Sequence, residues 1–104
     1  MNLNGNPMNE ESNCRLHARV TGRVQGVGFR YFVIGEAEII GVTGWVRNRR
    51  DGSVEVVAEG KKEQLSTLVL SLKRGPRSSI VHEVKVEWRE STAEFSGFSP
   101  RSTI

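Results

Sequence analysis

The stretch GRVQGVGFR, Gly22–Arg30, puts three glycines and two arginines into nine positions. Glycines let a turn adopt positive φ, and successive N–H groups in such a turn can form a concave nest for an anion. A helix starting there would add unpaired donors and a positive dipole end. Arg30, where turn becomes helix, carries a planar fork that matches a phosphate or carboxylate. Arg23 is either a solvated charge or a second contributor. A Walker A loop needs Gly-Lys-Ser/Thr, and here Gly28 is followed by Phe29-Arg30. A dinucleotide fingerprint needs a third glycine at position 31, which is Tyr31. Spacing alone leaves two readings open, an anion-binding loop and a structural turn.

Other reactive residue types are sparse. The chain has one cysteine, Cys14, and two histidines, His17 and His82. Cys14 has no obvious base and reads as an inert thiol, which suits a reducing compartment. His17 falls on the polar side of a strand pattern and His82 on the apolar side of another. No His/Cys/Asp/Glu spacing suggests a metal, and none is expected.

The elements that must hold the loop can be read from periodicity. Arg15–Val24 alternates, with Leu16, Ala18 and Val20 on one side and Arg15, His17 and Arg19 on the other, as in a half-buried strand. A helix is expected from Tyr31 to about Ile40, with Tyr31, Ile34 and Ala37 on its apolar face and Gly41 as its stop. Val42–Asn48 and Ser53–Glu59 read as a hairpin around Asp51-Gly52. Leu65, Leu68, Val69 and Leu72 give a second amphipathic helix, Lys61–Lys73, ended by Gly75-Pro76. Ile80–Glu90 alternates again, and Glu94–Phe98 reads as a short last strand. The order β-α-β-β-α-β with a final short strand, and a sheet with one wet face, predict an α+β ferredoxin-like sandwich. Its sheet is antiparallel, with both helices on one face.

Length and charge set the outer limits. The 104 residues fit one domain. A net charge of +3 suits an anionic ligand without choosing one. Residues 1–13 are polar, lack the apolar run of a signal or anchor, and read as a disordered tail. Residues 14–99 form the expected domain and 100–104 a C-terminal tail. No run reaches the roughly 20 apolar residues of a membrane span.

Taken together, GRVQGVGFR, GWVRN (Gly44–Asn48) and DGSVEV (Asp51–Val56) resemble the acylphosphatase family. The resemblance covers about Arg15 to Phe98. It implies a cofactor-free hydrolase that cleaves the carboxyl-phosphate bond of acyl phosphates, releasing carboxylate and inorganic phosphate. The family roles carry over to matching positions. The loop Gln25, Gly26, Val27, Gly28, Phe29 and Arg30 would hold the phosphate, and Asn48 would orient the attacking water. A cytoplasmic monomer is expected, with no nucleic-acid or membrane partner. The rival reading is a non-catalytic ferredoxin-like module binding RNA or a protein. Against RNA, the outward positions of the first and third strands carry no aromatic, and they include Glu55 and Glu59. A second rival is the related domain of hydrogenase-maturation carbamoyltransferases. After Phe98 the sequence departs from the family pattern, since Pro100 removes a ladder donor.

Overall fold

The computed structural model describes residues 12–104. The alternation read in the sequence becomes five strands and two helices. They are β1 (Asn13–Arg23), α1 (Phe29–Ile40), β2 (Thr43–Asn48), β3 (Val54–Lys61), α2 (Lys62–Arg74), β4 (Ile80–Glu90) and β5 (Phe98–Pro100). The sheet order is β4-β1-β3-β2-β5, antiparallel except for the β2–β5 pair. This is the expected ferredoxin-like sandwich. Of the expected tail, residues 1–11 lie outside the described residues, and Asn13 already pairs with Lys61.

One sheet face meets the helices. Leu16, Ala18 and Val20 of β1, Val46 of β2 and Val54, Val56 and Ala58 of β3 are fully buried there, with Leu65, Leu68 and Leu72 of α2. Cys14 lies in the same core, and burial pushes its thiol pKa up, so it stays protonated and unreactive.

In three places the structure corrects the sequence reading. Helix α1 begins at Phe29, and its buried stripe is Phe29, Val33 and Ala37, four residues apart; Tyr31 is 80% exposed. The apolar residues around Tyr31 fitted more than one stripe, and the earlier helix start selects this one. His82 is exposed, because the β1–β4 register slips between Thr21 and Gly22 and leaves it unpaired in a bulge. Val81 takes the inward place and packs on the core. Gly22 is required there: its φ is 129°, and a Cβ would lie 2.1 Å from the Ile80 carbonyl oxygen.

The third difference is the last strand, which is Phe98–Pro100 rather than Glu94–Phe98. The Gly97 carbonyl accepts from the Gly44 N–H, and the Arg101 N–H donates to the Val46 carbonyl. Residues 97 and 101 therefore face β2, and the intervening Pro100 turns its nitrogen outward, where an edge strand needs no donor. Beyond it the chain stays beside β2, with the Ile104 N–H on the Asn48 carbonyl and the Arg50 N–H on the Ile104 carbonyl.

The far face of the sheet is less wet than its charges suggest. Glu55 and Glu59 are buried. Glu59 accepts from Arg15 Nε at 2.7 Å, from Ser91 Oγ at 2.8 Å and from the N–H groups of Thr92 and Ala93. Residues 91–93 are therefore occupied in covering a carboxylate and do not extend a strand. Glu55 accepts from His17 Nε2, Arg47 Nε and Arg49 Nη1 at 2.7, 2.8 and 2.9 Å. Trp45 also lies on this face, with the Arg47 and Arg101 guanidinium groups 4.7 and 4.8 Å from its ring centre. It offers no open face for a base.

Burial alone would raise both carboxyl pKa values. Hydrogen bonds from His17, Arg47 and Arg49 outweigh this at Glu55, and those from Thr92, Arg15 and Ser91 at Glu59, holding each at about 2 against an ordinary 4.5. Below the ordinary value an unfolded chain takes up protons that the folded chain refuses. The stabilisation is thus complete above about pH 4.5 and is lost as pH falls through about 2. Each group contributes roughly 3 kcal/mol at neutral pH. Thermal melts between pH 6 and 2 should show a steep drop below pH 4.5, shallower in Glu59→Gln. A midpoint unchanged down to pH 2.5 would contradict this account.

Candidate active site

Strand pairing brings the loop and Asn48 to one end of the sheet. Val20 of β1 lies opposite Val54 of β3, and Val54 lies opposite Asn48 of β2. The chain leaving β1 therefore emerges beside the β2–β3 turn. That turn is closed by Arg49 N–H to the Ser53 carbonyl at 2.9 Å and Gly52 N–H to the Arg49 carbonyl at 3.1 Å. Asp51 finishes it by accepting from the Ser53 N–H and hydroxyl at 2.9 and 2.6 Å.

Gln25 ties the two segments together. Its side-chain Nε2 donates to the Arg49 carbonyl at 2.7 Å and to the Ser53 carbonyl at 2.9 Å. Both amide hydrogens are thereby occupied, so the side chain is a strut and only its backbone N–H is left for the loop. Nothing local in the sequence signals this role. Gln25→Ala should release the loop from the turn and lower kcat roughly tenfold with little loss of stability, as the bond count is small. Steady-state kinetics beside a thermal melt will test it, and an unchanged kcat would show that the loop holds itself.

The loop is pinned from below. Val24 and Phe29 are buried, Val27 packs against the core, and Phe29 meets Phe32 edge-on at 6.0 Å. Gly26 and Gly28 lie above, with φ of 71° and 78° and nothing within 4 Å of where a Cβ would be. Their need is conformational, since an L side chain is strained there even with open space around it. Among the described residues, the backbone N–H groups from Gln25 to Arg30 have no hydrogen-bond acceptor. Gly28, the N-cap of α1, supplies no side-chain cap, and the first turn of the helix carries no acidic residue.

Arg30 is the second residue of α1, half-buried, and makes no ion pair with a described residue. A cation at a helix N-terminus is unfavourable unless an anion sits between them. Among the described residues, the loop amides without an acceptor, the uncapped helix start and the Arg30 guanidinium without an ion pair thus lie together, and this set of donors is chemically suited to an anion. Arg23 is exposed. Asn48 is half-buried, and its side chain has no partner among the described residues. No group of three or more His, Cys, Asp and Glu able to hold a metal occurs among the described residues.

Residues 16–100 match the acylphosphatase family profile. The chain belongs to the acylphosphatase family. It is 48% identical to an acylphosphatase of Salinibacter ruber over 84% of this chain and 92% of that one. The crystal structure of acylphosphatase from Bacillus subtilis superposes with a TM-score of 0.82 at 42% identity, covering 85% of this chain and 98% of that one. Full-length HypF, in a phosphate- and nucleotide-bound form, gives a TM-score of 0.81 at 26% identity over 88% of this chain but 12% of its own. The protein is accordingly a hydrolase, and its substrate is an acyl phosphate. The rival reading, a non-catalytic module, is set aside by these matches. No described helix of this acylphosphatase is long and apolar enough to cross a membrane.

The sequence reading missed Glu55, Arg47 and Arg49 beside this site. The available signal was charge across neighbouring strands. Arg15, His17 and Arg19 on one strand face Glu55, Val57 and Glu59 on the next. Arg15 thereby pairs with Glu59 and Arg19 with Glu55, opposite signs on a face that alternation alone assigns to the wet side of the sheet.

Proposed function

We propose that this acylphosphatase hydrolyses acyl phosphates by in-line attack of water at phosphorus, with no metal and no covalent intermediate. The N–H groups of Gln25, Gly26, Val27, Gly28, Phe29 and Arg30, with the Arg30 guanidinium, cradle the phosphoryl group. They compensate charge on its equatorial oxygens. An acyl phosphate already carries a good leaving group, so little acid catalysis is needed. Asn48 accepts a hydrogen bond from the water and fixes its line of attack, but its amide is no base. The catalytic power is then positioning and electrostatics. The observation that carries this reading is the run of amides, ending in a half-buried arginine, that has no partner among the described residues.

The protein acts as a cytoplasmic monomer in this reading. A buried, protonated thiol suits the first and a core closed within one chain the second. Residues 14–99 supply the catalytic domain, and the acyl side of the substrate faces solvent, so acyl groups are accepted broadly.

The deciding experiment is hydrolysis of an aryl acyl phosphate in ¹⁸O-water, with and without EDTA. Turnover should survive the chelator, and the label should appear in phosphate. Label in the carboxylate, or loss of activity restored by Mg²⁺, would overturn the mechanism.

A further inference from the structure

We propose that Glu55 is a positioning residue for turnover, fixing the two arginines that flank Asn48 and, through the Arg49 carbonyl, the loop that carries Arg30. The inference rests on the role given to Asn48 above.

One carboxylate oxygen of Glu55 accepts from both Arg47 Nε at 2.8 Å and Arg49 Nη1 at 2.9 Å, while the other accepts from His17 Nε2 at 2.7 Å. Arg47 and Arg49 are the immediate neighbours of Asn48. Residues alternate along a strand, so when 47 and 49 are pulled to the outer face, 48 is turned to the opposite one. Register agrees, because Arg47 pairs with Glu55 while Asn48 pairs with the core residue Val54. The Glu55 side chain is only 8% exposed, so water does little to replace it. Arg49 extends the connection, since its carbonyl is one of the two that hold Gln25. A single charge thus reaches both halves of the site. Arg47 is held further by Trp45, with Arg101 also packed on that ring. Without the carboxylate, two adjacent cations would repel at the end of β2 and release the backbone on either side of Asn48.

Glu59 provides an internal control. It lies on the same strand and is equally buried and paired to an arginine, but it pairs with Thr43 and Arg15 toward the other end of the sheet. A purely structural account predicts similar behaviour for Glu55→Gln and Glu59→Gln. The positioning account separates them. Both should melt lower than wild type. At a temperature where circular dichroism shows both folded, E55Q should lose about tenfold or more in kcat, as a small misplacement of a reacting group does. Its inhibition by inorganic phosphate should shift by less than about threefold, and E59Q should keep kcat within about twofold. If E55Q fails to fold, Arg47→Met carries the test, because it removes one grip and leaves Glu55 paired with Arg49 and His17. A kcat within twofold of wild type in the folded variant, or an equal loss in E59Q, would overturn the proposal. Folded Asn48→Ala is measured alongside. If it turns over normally, the role of Asn48 is wrong and this inference falls with it. If it is inactive while E55Q is normal, only the positioning role is wrong.

Discussion

Replacing Arg30 with alanine is expected to lower kcat by at least about 10³ and to weaken competitive inhibition by inorganic phosphate. The phosphoryl group is anionic both in the bound substrate and in the transition state, so a guanidinium that contacts it acts on binding and on rate. Removing one preorganised donor from a developing oxyanion costs about 10²–10³, and a charged, bidentate donor belongs at the upper end. Arg30→Lys should restore little, because an ammonium is a point charge without the planar fork. Stability should be unchanged or slightly higher. Arg30 makes no ion pair among the described residues and sits at the unfavourable end of the α1 dipole. Steady-state kinetics, phosphate inhibition and thermal melts on the three proteins give the answer. Unchanged phosphate inhibition in folded Arg30→Ala would remove the arginine from the cradle.

Asn48→Ala should fail differently. Water orientation is a demand of the chemical step, and phosphate binding does not need it. The expected outcome is a kcat lower by about 10²–10³ with a phosphate inhibition constant within about threefold of wild type. The fold should persist. The backbone of Asn48 keeps its pairing with Val54, and its side chain has no partner to lose among the described residues. Asn48→Asp is informative beside it, since a carboxylate near the phosphoryl site adds repulsion and should weaken phosphate binding as well. Near-normal turnover in folded Asn48→Ala would end the water-positioning role.

The legible parts of this molecule are those governed by local rules. Alternation in β1 and β4, the Asp51-Gly52 turn and the leucine spacing of α2 each follow from a few adjacent residues, and the structure reproduces them with ends shifted by a residue or two. The glycine-rich loop was legible because residue type and spacing both constrain backbone shape. The misread parts depend on distant chain. His82 became exposed through a bulge in which Thr21 pairs with Glu83 and Gly22 with Val81, leaving His82 between them. The last strand moved because residues 91–93 are recruited to cover Glu59. Glu55 stands at an outward strand position by alternation, and it is buried only because β1 and the end of β2 bring His17, Arg47 and Arg49 around it. Burial of a carboxylate is decided by tertiary partners, which periodicity cannot see.

The strand order has a consequence for how the molecule acquires its shape. Only β2 and β3 are neighbours both in the chain and in the sheet. Strand β1 must wait for β3 on one side and β4 on the other, and Cys14 finally lies opposite Glu90. Each closure orders a long stretch of chain before it gains contacts, the regime in which domains of this size fold slowly. The end of the sheet that brings loop and turn together depends on the β1–β3 pairing. On a nascent or refolding chain the hairpin that ends in Asn48 forms early, while the cradle arrives only when β1 docks beside it. Catalytic competence should therefore trail the first appearance of secondary structure.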